Sequence, residues 1–166
     1  MSVKIKDRDM GWRRIKQELA LARKAYVNIG ILSDAGVHEG NEKSKKSITY
    51  AEIASIQEFG NKTNKFYGHH APIPARPFMR MTFDKNKRKI KQTVEVFLDR
   101  IYSGIGTAKQ GLKRLGLEHQ SDVQTTIESG RFKANAPATK DRKGSSKPLI
   151  DSGNMKNKIS FELKGV

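Results

Sequence analysis

The sequence predicts an α+β fold: a small antiparallel sheet packed on two long helices and shorter helices, with extended loops and arms. Three observations predict it. Residues 25–32, AYVNIGIL, alternate Val27, Ile29 and Ile31 with Tyr26, Asn28 and Gly30, the period of two that turns one side of a strand toward a core. Two stretches, Phe83 to Ile101 and Ala108 to Val123, carry apolar residues at steps of three, four and seven, as a helix with one buried stripe requires. The last segment returns to period two with Ile159, Phe161 and Leu163, so it can pair with the first strand and face the long helices.

In chain order, Trp12, Ile15, Leu19 and Ala22 line one side of a helix over residues 10–22, expected to dock through Trp12. The strand over residues 25–32 follows. Residues 33–47, rich in Gly, Ser, Asn and Lys, have no apolar periodicity and are expected as an exposed loop. Thr49-Tyr50-Ala51-Glu52 matches a capping box, in which the threonine oxygen takes the amide three residues on and the glutamate returns to the threonine amide. The short helix it opens ends near Gly60, because glycine closes a helix in the left-handed region without strain.

Residues 62–75 hold Gly68, His69-His70, Pro72 and Pro74 and form a second exposed loop. Pro77 suits a first helical turn, where a missing amide proton costs nothing. Ile90, Val94, Phe97 and Ile101 then mark a helix of roughly 25 residues, about 37 Å long at 1.5 Å per residue. Gly104 and Gly106 break it, and Thr107 to Gln110 form another capping box for a helix reaching residue 129 or 130, with Ala108, Leu112, Leu115, His119 and Val123 on one side. The short turn between the two helices sets them antiparallel or at a sharp angle. Gly111 and Gly116 weaken the second helix by about 1 kcal/mol each unless a neighbour approaches closely there. Residues 131–155, punctuated by Pro137, Gly144, Pro148 and Gly153, are expected as an extended arm of a single domain spanning residues 1–166.

Composition narrows the function. Apolar residues make up 36% of the chain, below the usual 45–50%, and 33 Lys+Arg against 17 Asp+Glu leave a net charge of +16. The excess is uneven: residues 1–24 hold 8 basic and 3 acidic groups (+5), 80–114 hold 10 and 3 (+7), and 131–149 hold 6 and 1 (+5), while 115–130 carry −3. Such a field favours an anionic partner, nucleic acid or an acidic protein surface, although Lys85, Lys87, Arg88, Lys89 and Lys91 equally suit the solvated side of a helix. With no cysteine, disulfides, thiolate metal sites and cysteine nucleophiles are excluded. The charged start MSVKIKDRDM and the lack of a long apolar run predict a soluble cytosolic product.

Candidate chemistry is sparse. His69-His70, with His38 and His119 elsewhere, lacks metal-ligand spacing, and neither Gly30 with Gly36 nor Gly104 with Gly106 forms a phosphate cradle. Ser152-Gly153 has no paired base. Asp34, Glu39, Glu52 and Glu58 could be imagined as a nuclease metal cluster but are more simply helix-cap and surface groups. No catalytic residue, metal or cofactor is expected. Phe66 and Tyr67, between Lys65 and Arg76, suit either base stacking or a subunit contact.

Three blocks in fixed order carry a resemblance: Glu58-Phe59-Gly60, Pro74-Ala75-Arg76-Pro77-Phe78 and Pro148-Leu149-Ile150-Asp151-Ser152-Gly153, set between VNIGIL and a final strand. Together they resemble the neck and tail-completion proteins of long-tailed bacteriophages, the tail-component and virion-morphogenesis families, over most of the chain from Val27 to Leu163. The loop 33–47 and the histidine-rich loop depart from that pattern. The resemblance implies a non-enzymatic virion protein, forming a hexameric ring where the head connector meets the tail tube, with DNA passing through unread. Its partners would be sister copies and other neck and tail proteins.

A ring subunit needs a rigid body and protruding loops, because head-to-tail contacts close only when the rotation between copies is fixed. Loops 33–47 and 62–75 and the arm 131–155 are the expected clasps, with Phe66, Tyr67, Arg76, Arg131, Phe132, Lys143 and Asp151 as contact residues. Arg76 is expected either to bind a carboxylate or carbonyls at the start of the long helix, or to hold its own fold together. Phe78 belongs to the core, Phe132 is expected to insert into a neighbouring copy, and Asp151 and Ser152 can cap a terminal turn. The alternative is a basic cytosolic nucleic-acid-binding protein.

Overall fold

A computed structural model describes residues 9–38, 47–62 and 72–166. Along the chain run α1 (Trp12–Lys24), β1 (Tyr26–Ile31), β2 (Val37–His38), β3 (Ile48–Thr49), α2 (Tyr50–Phe59), α3 (Phe78–Tyr102), α4 (Ala108–Ser129), α5 (Pro137–Lys143), α6 (Asn154–Asn157) and β4 (Ile159–Lys164). The class is α+β, as the periodicities predict: two long packed helices, shorter helices and two small antiparallel two-stranded sheets.

The long helices owe their starts to glutamates from other helices. Amide protons in a first helical turn have no partner within the helix and carry the positive end of its dipole, so a carboxylate there is doubly favoured. At α3, Glu58 from the end of α2 accepts the amides of Met79 (2.9 Å) and Arg80 (3.1 Å). At α4, Glu18 of α1 accepts the amide of Ala108 at 2.8 Å, beside the complete capping box of Thr107 and Gln110. Each cap also ties two helices together.

Between α3 and α4 the chain turns in five residues. Gly104 sits at φ 71°, and the amides of Ile105 and Gly106 both donate to the carbonyl of Arg100, at 3.0 and 2.9 Å. The helices then approach closely because Gly111 leaves room for Phe97 of α3, whose Cβ would stand only 2.7 Å from an added methyl carbon. One turn further on, Gly116 makes the same space for Phe161 of β4.

β1 and β4 pair antiparallel with Val27 opposite Leu163, Ile29 opposite Phe161 and Ile31 opposite Ile159, so both apolar rows share a face. That face lies on α4, where Gln120 Nε2 donates to the carbonyl of Ile159 at 2.8 Å. The largest buried cluster lies at one end of the helix pair, formed by Tyr50, Phe78, Val123, Ile127, Leu149, Met155 and Ile159, while Ile101, Ala108 and Leu112 are buried toward the other.

Three features differ from expectation. Trp12 does not dock α1: it is 58% exposed with Lys16 over its ring, and the contacts fall to half-buried Ile15, Glu18, Leu19 and Ala22. The loop 33–47 has ordered ends, Val37 and His38 pairing with Thr49 and Ile48. Residues 131–155 are not an extended arm, because Asn135, Leu149 and Met155 are buried and draw the segment, with its helices α5 and α6, back onto the body. Phe66, Tyr67, His69, His70 and Glu39 lie outside the described residues.

Adding a methyl group at Gly111 forces it against Phe97. Overpacking costs about 1–3 kcal/mol, and alanine's better helix propensity returns at most about 1 kcal/mol. Gly111→Ala is expected to lower the midpoint of urea or thermal unfolding, with partial recovery when Phe97→Leu is added. An unchanged midpoint would show that the helices do not meet here.

Candidate interaction surface

Arg76 is the most constrained polar residue in the fold, at 3% exposure. Its guanidinium donates to Gln57 Oε1 (2.5 Å), the carbonyl of Lys133 (2.8 Å), Asn135 Oδ1 (3.0 Å) and the carbonyl of Ala134 (3.3 Å). Its own amide donates to the carbonyl of Gln57 at 2.6 Å. Burial lowers its pKa from the usual arginine range, since low-dielectric surroundings disfavour the charged form. Both expectations for this residue meet here: the guanidinium binds carbonyls and holds its own fold together, and at 3% exposure it offers little surface of its own.

Around it the three blocks behind the resemblance converge. Glu58, expected as a helix-cap and surface group, does cap a helix, but from a buried position beneath the start of α3. Gly60, at φ 76°, lets the backbone of Ile73 and Ala75 pass: an added methyl carbon would lie 2.8 Å from the amide nitrogen of Ala75. Asn61 and Ile73 exchange two backbone bonds, at 2.9 and 2.8 Å, which close the base of the loop 62–75. Asn135 Nδ2 donates to the carbonyl of Lys147 (3.4 Å), and Leu149 reaches Phe78 in the core.

The other expected contact residues divide. Phe132 is half-buried against the core cluster and lies under Gly130, so it packs on its own chain instead of standing in an exposed arm. Lys143 is half-buried, and its Nζ donates to the carbonyl of Lys147 at 3.1 Å. Arg131 and Asp151 are exposed and make no side-chain bond among the described residues. Of Asp151 and Ser152, the serine accepts an amide at the turn into α6, that of Asn154 at 3.4 Å, and Asp151 makes no such bond. Among the described residues Arg131 and Asp151 are the expected contacts that are exposed.

Part of the basic surface of α3 is engaged within the fold. Lys87 pairs with Asp84 (2.7 Å), Lys91 with Glu95 (3.7 Å) and Lys89 with Asp122 of α4 (2.8 Å), while exposed Lys85 and Arg88 carry no pair among the described residues. Thr93 and Arg114 both donate to Glu118 at 2.8 Å. Burial pushes Glu118 up, but those hydrogen bonds and the charges of Arg114 and Lys89 outweigh it and hold the carboxyl below its ordinary range.

His119, absent from the expected contacts, is 7% exposed with its ring edge-on to Phe83 and no partner for Nδ1. Burial lowers its pKa, with Asp122 raising it and Lys89 lowering it to lesser degrees. A lone histidine on a helical stripe gives no sign in sequence of whether it is satisfied. Glu52 completes the capping box with Thr49, through bonds of 2.9 and 3.1 Å. Among the described residues no three His, Asp or Glu side chains gather at metal-ligating distance, and no helix is long and apolar enough to cross a membrane.

Two measurements check this account. Arg76→Ala leaves buried acceptors without donors, at about 1–3 kcal/mol each, so it is expected to lose about 3 kcal/mol or more in urea unfolding. Arg76→Lys should fail to recover it, because an ammonium cannot span partners on two sides. His119 contributes nothing while both states hold it neutral; below the unfolded pKa of about 6.5 the unfolded chain binds the proton first. Stability should therefore fall from pH 7 to 5.5, and His119→Leu should flatten that fall; an unaltered slope would assign it to other groups. Comparison with models of known families, with curated proteins and with solved structures finds no match to the chain.

Proposed function

We propose that this chain is a structural protein of the head-tail junction of a long-tailed bacteriophage, acting without catalysis. It would join or complete the tail as a hexameric ring around the DNA channel. The observation that carries the reading is the meeting of the three resembling blocks at one corner: Arg76 of the second bonds to Gln57 beside the first, Glu58 of the first accepts the amides of Met79 and Arg80, and Leu149 of the third, more than a third of the chain further on, shares the buried cluster of Phe78. A ring subunit requires such a rigid corner, since a small error in the rotation between copies prevents closure. From it emerge the loop 62–75, clamped at its base, and the exposed side chains Arg131 and Asp151. The excess positive charge suits acidic neighbouring proteins better than a lumen, where lysines would hold the passing phosphates.

A second reading, a basic nucleic-acid-binding protein, draws on the unpaired cations Lys85 and Arg88 of α3. Duplex DNA titrated at rising salt separates the two: tight binding by the isolated monomer at physiological salt favours the second. The first expects the chain in purified virions, as a ring at the neck. It also expects the pair Arg131→Glu and Asp151→Lys to reduce head-tail joining at least about tenfold while the unfolding midpoint stays near that of the unaltered protein. Purified virions lacking the chain would end the first reading.

A further inference from the structure

The ribbon of β1 and β4 is narrower than the helix layer beneath it. Adjacent strands lie about 4.8 Å apart and packed helices about 8–10 Å apart, so two strands cover one helix and leave the second bare. The covered helix is α4, through the seat of Phe161 on Gly116 and the bond from Gln120. Beside it, between β1 and α3, lies a groove of about 490 Å³.

Val27 and Ile29 of β1, Phe83 and Ile90 of α3, and Leu115 and His119 of α4 line this groove. No residue of β4 does, so it lies on the side of β1 away from its partner strand. That edge of β1 is unpaired among the described residues. An unpaired strand edge beside an apolar cleft is a template for another strand. Phe83 remains 50% exposed, a large apolar surface awaiting cover.

The polar groups define what fits. Arg80 lines the groove and its side chain makes no hydrogen bond or ion pair among the described residues. Lys87 holds its ammonium 5.5 Å from the centre of the Phe83 ring. Deeper in, His119 is more than nine-tenths buried with Nδ1 unpartnered. Backbone donors and acceptors, alternate apolar side chains and a carboxylate would together satisfy the edge, the cleft and Arg80, Lys87 being already paired with Asp84. A second copy of a chain carrying +16 brings the wrong sign of charge.

We propose that the groove between β1 and α3 receives an extended acidic segment of a partner protein, added as a third strand along the free edge of β1. Apolar side chains of that strand cover Phe83 and Ile90, and a carboxylate meets Arg80. β1 is six residues long, enough to register a strand of about 20 Å. The proposal rests on this groove alone and holds or fails independently of the virion reading.

The test uses the full chain and fluorescent capped octapeptides. One alternates Val and Glu, one alternates Val and Lys, and one is the Val/Glu peptide N-methylated on the edge facing β1; sodium dodecanoate and a DNA duplex serve as competitors. The Val/Glu peptide is expected to bind and to slow amide exchange in β1 at least about tenfold. Arg80→Glu and Phe83→Asp, each checked for folding by circular dichroism, should weaken it at least about tenfold. Equal binding of the Val/Lys peptide would overturn the charge argument, and equal binding of the N-methylated peptide would overturn strand addition. Binding of dodecanoate or duplex with no peptide bound, or no binding by any probe, would overturn the proposal outright.

Discussion

A permanently charged side chain sealed inside a small protein is the constraint on which this structure depends. Removing a guanidinium from water costs several kcal/mol, and the fold recovers it only by aiming neutral dipoles at the buried N–H groups. For Arg76 those dipoles come from the end of α2 and from residues 133–135, nearly sixty positions later. Neither segment can leave without stranding the charge. Glu58 is the mirror case, a buried anion satisfied by the first amides of α3. Together these two groups fix where α2 stops and α3 begins.

From that corner the rest follows by packing. The start of α3 is set by Glu58, the start of α4 by Glu18, and the separation of the two helices by Gly111 against Phe97. The β1–β4 ribbon is then placed by Phe161 entering the gap at Gly116. A side chain displayed from such a frame would lose less entropy on binding a partner, because the body beneath it does not yield. Arg131, Asp151 and the rim of the β1–α3 groove are all displayed from it.

Where one interaction dominates locally, the sequence was readable. Both capping boxes, the alternation of β1 and β4 and the stripe of α4 are short-range patterns, and the structure holds each within a residue or two of its expected limits. The close approaches at Gly111 and Gly116 were legible as a condition, since a glycine inside a helix calls for a neighbour. What could not be read was long-range. Trp12 lies on the apolar stripe of α1, yet the body ends before reaching it. The polarity of 131–155 hid Leu149 and Met155 as core residues, and α5 has no apolar period at all, although Pro137 at its first turn and Gly144 at φ 62° mark both ends. Arg76 stood out from the start; that its partners were internal depended on a segment sixty residues away. The groove and the unpartnered His119 exist only once three elements meet.

The thin attachment of α1 has its own consequence. No residue of that helix is buried, and its firmest polar tie to the body is the carboxylate of Glu18 on α4. Detaching it would expose little apolar area, so the chain has a graded hierarchy of opening, with its first helix the cheapest unit to release and the Arg76 corner the last. Its release would turn the first amide of α4 from Glu18 to water, while the Arg76 corner keeps its own partners.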